Sequence, residues 1–470
     1  MSSKKVVLIV PPTMLLTATF PFGLGYMAAI LNNLGHSVSI CNFTQNKYSL
    51  PRVIKKIIEL APDVLGITVY SFSYRECRDI VHGVKRINSR ITIVVGGPHI
   101  SVLPKESLED LKADFAVVGE AERIFPKLIA QAGDVNSSFE GISGLAYWLK
   151  GQAVLNEGHN IIDDLDSLPF PAWELMPPDK YNDFASEISS MRMPVAPILT
   201  SRGCPHRCTF CTAHFVTGYK QRMRSAKNVI DEMEWLIRKY RVQEFLIFDD
   251  NFTGDKSHAV SICEEILKRE LDIVWRCAVG VRVNSLDAEL LELMKKSGCY
   301  QLSLGIETTS DDVLNRSRKS LSFSTTKEKL SLIEKFGFET VGFFVFGLPG
   351  ETTQSIKDTI SFVRNSNIDL PVFSKFVPFP GTKCFKEKFK GKMLNDINWN
   401  QFFVYGSQES SFCSVRAKDL DWFCFYAYFL TYTNPFRLFK LIKKLVSSKN
   451  VRYNKFFKFI KCIISSLVKP

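Results

Sequence analysis

Cys204, Cys208 and Cys211 put three thiols into the eight-residue stretch CPHRCTFC, whereas the chain's other nine cysteines are scattered. Iron–sulfur clusters are held by cysteine thiolates, one per iron, so three thiolates on a four-iron cluster leave one iron without a protein ligand. An open coordination position separates a reactive metal centre from a closed structural one. The competing reading is zinc, with His206 or His214 as a fourth ligand. Zinc sites usually repeat an x2-spaced pair at a distance, and none recurs here. The scattered cysteines, such as Cys263 and Cys299, read as small core residues.

Stepping outward from this loop, PILTSRG, EFLIFDDN, WRCAVGV, QLSLGIE, GFFVFGLPG and SKFVPFPG read as strands, with amphipathic stretches such as SAKNVIDEMEWLIRKY between them. About six such units predict a partial (β/α)6 barrel, with its chemistry at the carboxyl mouth. The three cysteines fall just after the first strand. The first 140 residues beat differently, as five βα units: KVVLIV, SVSICNF, DVLGITVYS, TIVVGG and FAVVGE alternate with helical stretches. Runs apolar on both faces predict a doubly wound, Rossmann-like parallel sheet covered by helices, with ligands beyond the carboxyl ends of its strands. Ser71, Ser73, Gly96, Gly97 and Gly119 collect at those ends. Without a phosphate loop or a clean GxGxxG, they point to a large cofactor that is not a nucleotide. The proline-rich and aromatic text LPFPAWELMPPDKYND marks a joint. The expected division is 1–140 cofactor domain, 141–192 linker, 193–400 barrel and 401–470 helical, basic tail.

PFGLGYMAAILNNLGHSV, VVGGPHIS and FAVVGEAE resemble the cobalamin-binding domain at the front of many radical S-adenosylmethionine enzymes. The CxxxCxxC spacing is that superfamily's defining motif. FLIFDDNF, SGCYQLSLGIET, GFFVFGLPGET and PFPGT resemble strand-end motifs of its cobalamin-dependent branch, so the likeness runs over about residues 4 to 400. It implies three cofactors: a 4Fe-4S cluster on Cys204, Cys208 and Cys211, S-adenosylmethionine on the open iron, and cobalamin. Cobalamin is expected at Gly23, Gly25, Ser71, Ser73, Gly96, Gly97, His99, Gly119 and Glu120. The DxHxxG run that supplies a lower cobalt ligand elsewhere is absent, so cobalamin is expected without a protein histidine on cobalt. Asp249, Asp250, Arg282 and Glu307 are expected to project from strand ends toward the mouth. There a carboxylate would hold the ammonium or ribose of S-adenosylmethionine and an arginine its carboxylate. Phe210 would pack on adenine or shield the cluster.

The resemblance implies a 5′-deoxyadenosyl radical that takes hydrogen from an unactivated carbon, with methylcobalamin delivering a methyl group and a second S-adenosylmethionine restoring it. A low-potential electron donor must be supplied from outside. The same machinery without methyl transfer would be a radical cyclase or rearrangement enzyme. From other classes stand an RNA-modifying methylthiolase and a cobalamin-sensing binding protein. No Ser/His/Asp or Cys/His nucleophile set is identified, which suits chemistry carried by cofactors.

Net charge is +12, yet from Trp422 onward there are ten Lys or Arg and no Asp or Glu. The first 421 residues carry 50 basic against 48 acidic side chains, a balance of +2. A near-neutral body without an RNA-binding module of aromatic and basic strands argues against nucleic acid. The apolar run VVLIV is too short for a signal peptide, and no run reaches the roughly 20 residues of a membrane span. The expected location is the cytoplasm, with peripheral contact at the inner face of the membrane. In the tail, Leu438, Leu441, Ile442 and Leu445 recur at helical spacing among Lys440, Lys443 and Lys444. This is the pattern of a helix lying on an anionic membrane or packed back on the barrel. On the membrane reading the substrate would be a lipid or isoprenoid; no motif names it, and natural product, lipid, tetrapyrrole and peptide stay open, a lipid or natural-product-type small molecule being the class expected.

Overall fold

β1 (Lys5–Val10) is buried at every position after the first, as a strand covered on both faces must be. It lies between β2 (Ser37–Asn42) and β3 (Val64–Thr68), and β4 (Thr92–Gly96) and β5 (Phe115–Val117) follow, all parallel in the order β2-β1-β3-β4-β5. Strand order reverses between β1 and β3, and the crevice beyond their carboxyl ends is where such sheets bind ligands. The computed structural model describes residues 3–13, 20–44, 49–131, 138–158, 160–181, 190–406, 411–435 and 437–439.

The chain divides into two compact units, the first comprising residues 1–181, 212–218 and 378–402. The expected linker therefore starts as part of this unit. β6 (Leu145–Leu149) pairs antiparallel with β5, and β7 (Gln152–Leu155) with β6, extending the sheet to seven strands. Their loop is Lys150–Gly151, with φ of 49° and 81°. Two consecutive positive φ values make the tight turn whose twist matches a hairpin. The PFPAW text then runs along the helix Phe22–Asn33. Gly25 accepts a hydrogen bond from Ala172 N at 3.0 Å, and a Cβ there would lie 2.2 Å from Met176 Cε. This glycine is needed for close packing.

The second unit is built on six parallel strands: β8 (Val195–Ile198), β11 (Glu244–Ile247), β12 (Val274–Val281), β13 (Cys299–Glu307), β14 (Glu339–Phe346) and β15 (Leu370–Lys375), each beside its sequence neighbour. A short ribbon, β9 (Ser201–Arg202) with β10 (Arg222–Met223), branches off after β8. The intervening helices begin at side-chain caps, Ser225, Asp255, Asp287, Ser322 and Thr352 each accepting a backbone N–H. The free edge of β15 is covered by the helix Ala417–Tyr432, where Tyr428 Oη accepts from Phe373 N at 3.0 Å and donates to Phe373 O at 3.1 Å. At the amino ends of the strands, buried Glu244 accepts from Arg276 Nε at 3.1 Å, Tyr300 Oη at 2.8 Å and the Met191 and Arg192 amides at 2.7 and 2.9 Å. A charge buried with all its partners fixes this end of the sheet and leaves the carboxyl end for chemistry.

Candidate cluster and cofactor sites

The cysteine loop hangs from β9. Cys204 and Cys208 are half-buried and Cys211 is exposed. Cys211 N donates to Cys208 O at 3.1 Å, and Thr209 N donates to Ser317 O at 3.1 Å, tying the loop to the turn that follows the helix Asp311–Arg316. Burial raises the Cys204 thiol above its ordinary value, and the backbone N–H of His206 opposes this. Among the described residues no group of three or more His, Cys, Asp or Glu side chains is placed to hold a single metal ion. Zinc needs four ligands gathered at about 2.0 to 2.3 Å around one point. Three thiols on one short loop suit a four-iron cluster, which takes one thiolate per iron and keeps its fourth iron open.

Glu307 closes β13 in the left-handed region, φ 67°, where the register to β14 slips between Gly305 and Glu307. A non-glycine residue there is strained by about 1–3 kcal/mol, a cost met most often at functional sites. The bulge turns its carboxylate onto Lys319, Oε1 to Nζ 2.6 Å, with both side chains nearly buried. A side chain at Gly305 would intrude on this pair, since a Cβ there would lie 2.9 Å from Glu307 Oε1 and 3.0 Å from Lys319 Nζ. Lys319 Nζ also sits 5.9 Å from the centre of the Phe210 ring, in cation–π range. Arg282 braces the same turn, donating to the Lys319 and Ser320 carbonyls and, through Nε, to Asn284 Oδ1 at 3.1 Å. Burial lowers the His206 imidazole below its ordinary value, helped by the Arg282 and Lys319 charges.

Three expected residues, Phe210, Arg282 and Glu307, are thus brought together, through a fourth that the sequence reading missed. Lys319 lies twelve residues beyond Glu307 in the loop text RSRKS, and only the fold selects it among three cations. Asp250 is exposed at the end of β11. Asp249 departs from expectation. It is 1% exposed, and its carboxylate accepts from Thr200 N at 2.7 Å, Thr200 Oγ1 at 2.5 Å and Ser201 Oγ at 2.7 Å. Rather than projecting to the mouth, it clamps the chain after β8 against β11. Burial pushes its pKa up to about 6 against those bonds. Glu351 of the GLPGET motif has a similar structural task. It is fully buried, accepts from Gly347 N at 2.6 Å and Thr308 Oγ1 at 3.4 Å, and burial pushes it up to about 7.

In the first unit the expected cobalamin residues separate into two groups. Gly96, which ends β4, and Gly97, which follows it, are half-buried, and Gly23 is exposed, so backbone is approachable there. Gly97 has φ 100°, and a Cβ would meet Thr68 Oγ1 at 2.8 Å, so the turn itself demands glycine. An open glycine turn beyond β4 fits a bulky cofactor laid on the sheet's end. The others are held by the fold. Ser73 is fully buried and donates to Tyr70 O at 3.2 Å. Gly119 N donates to Ser101 Oγ at 3.0 Å, and buried Glu120 accepts from Ile162 N at 2.7 Å. Gly25 faces the PFPAW segment, as described above. His99 is 1% exposed, with Nδ1 3.0 Å from Ser71 Oγ and its ring 4.5 Å from Tyr74 and 4.8 Å from Trp399. Burial pushes its pKa down to about 3, so the imidazole is neutral, and this expected cobalamin residue is enclosed by its own neighbours.

A flavodoxin-like unit with an open glycine edge, and a six-stranded parallel unit with a three-thiol loop at its carboxyl end, define an enzyme of two cofactor domains. Residues 15–129 match the B12 binding domain and residues 198–363 the radical SAM superfamily. An uncharacterized methyltransferase of Pyrococcus horikoshii is 30% identical over 409 residues, covering 86% of this chain and 87% of its own length. An anaerobic magnesium-protoporphyrin IX monomethyl ester cyclase of Rubrivivax gelatinosus is 28% identical, covering 78% of this chain and 66% of its own. The fold resembles that of the radical S-adenosylmethionine methyltransferase TsrM of Kitasatospora setae, solved with tryptophan and a S-adenosylmethionine analogue, at a TM-score of 0.68, 19% identity and coverage of 83% and 77%. The chain belongs to the cobalamin-dependent radical S-adenosylmethionine enzymes, and its cofactors are a 4Fe-4S cluster, S-adenosylmethionine and cobalamin.

Proposed function

We propose that this protein is a C-methyltransferase that modifies an unactivated carbon of a lipid or natural-product-type small molecule. When bound, the cluster with S-adenosylmethionine supplies a radical initiator, and cobalamin supplies a methyl donor. In this reading Cys204, Cys208 and Cys211 hold the cluster. The observation that carries it is the grouping of the cysteine loop with Phe210, Glu307, Lys319 and Arg282 on one unit. The amino-acid end of S-adenosylmethionine is a zwitterion and needs both signs of charge within reach. Glu307 and Lys319 supply them side by side, with Arg282 fixing the turn that carries Lys319. Phe210 gives an apolar wall between two cysteines, where it shields the cluster from water or packs on adenine. Gly96 and Gly97 let cobalamin approach the backbone beyond β4.

The cyclase relative favours a second reading, radical cyclisation without methyl transfer. Anaerobic reconstitution, with iron, sulfide and cobalamin quantified and products followed by mass spectrometry, separates the two. Methylated product with both S-adenosylhomocysteine and 5′-deoxyadenosine supports methylation. Product with 5′-deoxyadenosine and no S-adenosylhomocysteine supports the cyclase. Bound cobalamin with no cleavage of S-adenosylmethionine under reducing conditions removes both.

Peripheral contact with an anionic membrane completes the proposal. It is supported by the ten basic and no acidic residues after Trp422. No helix among the described residues is long and apolar enough to cross a membrane. Leu441, Ile442 and Leu445, with Lys440, Lys443 and Lys444, lie outside the described residues.

A further inference from the structure

From Trp422 onward the helix Ala417–Tyr432 carries no charge on any side, and the structure accounts for only one of its sides. Leu420, Phe423, Cys424, Ala427 and Thr431, at helical spacing, are buried. Tyr428 and Tyr432 on the same side bond the β15 backbone, the latter to Pro371 O at 3.4 Å. On the other side Trp422, Phe425 and Phe429 are 54%, 44% and 54% exposed, although burying an aromatic side chain is worth about 1.5–3 kcal/mol. They are spaced i, i+3, i+7 and so share one face. Trp422 stacks on Tyr426 at 4.8 Å and Phe425 on Phe429 at 6.3 Å, which makes the face a continuous aromatic strip. The helix's charges, Lys418, Asp419 and Asp421, all precede this strip, and both acids are paired, with Arg416 and Lys375. A few residues on, Leu438 and Phe439 are 42% and 66% exposed.

We infer that this aromatic face is a docking surface for an anionic lipid bilayer. Two observations choose the occupant. Trp, Tyr and Phe together suit the boundary between headgroups and acyl chains, where the rings lie in an apolar layer and the polar tips in a wet one. The sequence that follows holds ten basic residues and no acid; Arg437 is buried against the Val363, Ser366 and Ile368 carbonyls, and the rest of the chain, nearly neutral, offers the other nine no matching negative surplus. An anionic leaflet satisfies both, at about 1 kcal/mol for each basic residue near it. The inference rests on the membrane reading of the tail and adds the helix face as the part that enters the lipid.

The test uses the full-length, cofactor-loaded protein and sedimentation with vesicles of phosphatidylcholine alone or mixed with phosphatidylglycerol. The wild type is expected to bind the mixed vesicles, to bind phosphatidylcholine far less, and to weaken as salt screens the leaflet. Replacing Trp422, Phe425 and Phe429 together by Ser should weaken binding by about tenfold or more, with circular dichroism and thermal midpoint unchanged. Changing Lys440, Lys443 and Lys444 together to Gln should weaken it too and flatten its salt dependence. If the lysine variant loses binding and the aromatic variant does not, the inference fails while the tail reading stands. If wild type binds neither vesicle, or both equally, the inference and the membrane reading fail together. An aromatic variant that loses thermal stability instead of vesicle binding shows the face to be covered by the chain's own tail, which also overturns the inference.

Discussion

The carboxyl ends of the two sheets use polar residues in opposite ways. In the first unit nearly every polar group the sequence offered is enclosed: Ser73 and His99 are buried and Glu120 caps a backbone amide. What remains approachable is backbone at Gly23, Gly96 and Gly97. In the second unit charge is kept beside the candidate cluster loop, with Glu307 strained, paired to Lys319 and braced by Arg282. The difference follows from what each edge would hold. A large, flat cofactor is gripped by shape and close backbone approach. A small zwitterion is gripped by a few charges, and these must be held in place before it arrives.

The largest effect should come from the thiols. Cys204→Ala should lose iron and sulfide on anaerobic reconstitution and abolish 5′-deoxyadenosine formation, beyond the roughly 10–100-fold that outer-shell partners of a metal cost. Metal analysis and product quantification check it. Retained cluster and cleavage would erase the contrast between the two edges.

Glu307→Gln leaves the Lys319 ammonium nearly buried without its partner. Breaking such a pair costs about 3 kcal/mol, so the thermal midpoint should fall, and S-adenosylmethionine binding should weaken by about tenfold or more. Equilibrium binding and calorimetry read the two effects separately. Unchanged binding would remove Glu307 from the site and leave its strain unexplained.

His99 probes the first edge through pH. Its folded pKa of about 3 lies below the ordinary 6.5. The unfolded chain therefore binds the extra proton first, and stability is full above about 6.5 and falls as pH drops toward 3. The slope is at most about 1.4 kcal/mol per pH unit. Urea unfolding of His99→Phe across this window should show a shallower pH dependence than wild type. An equal slope would mean that His99 protonates freely in the folded state and is not enclosed.

Gly97→Ala should have the smallest effect, a loss of about 1–2 kcal/mol from an alanine held at positive φ, together with poorer cobalamin retention. Full retention would show that the cofactor does not lie against this turn.

The elements were legible where local chemistry agrees with the fold. β1 reads as doubly buried from its uninterrupted apolar run, and the helices of the second unit start at Ser, Asp or Thr caps visible in the text. The hairpin β6–β7 was missed because two short strands and a Lys-Gly turn look like the beginning of a joint. Trp399 beside His99 was also hidden, because the segment 378–402, read from sequence as the end of the barrel, packs with the first unit. Asp249 looked like a site carboxylate because strand-end position is visible in sequence, and the direction of its carboxylate, toward Thr200 and Ser201, is not.

By itself the sequence determined the thiol spacing, the two βα rhythms and the basic end of the chain, since these depend on residue type and on neighbours within a few positions. Tertiary structure alone decided which cation meets Glu307, which glycines are open, that His99 is sealed and that one face of the last described helix remains aromatic and exposed. Each of these depends on contacts between residues far apart in the chain, and such contacts are set by the packing of whole elements.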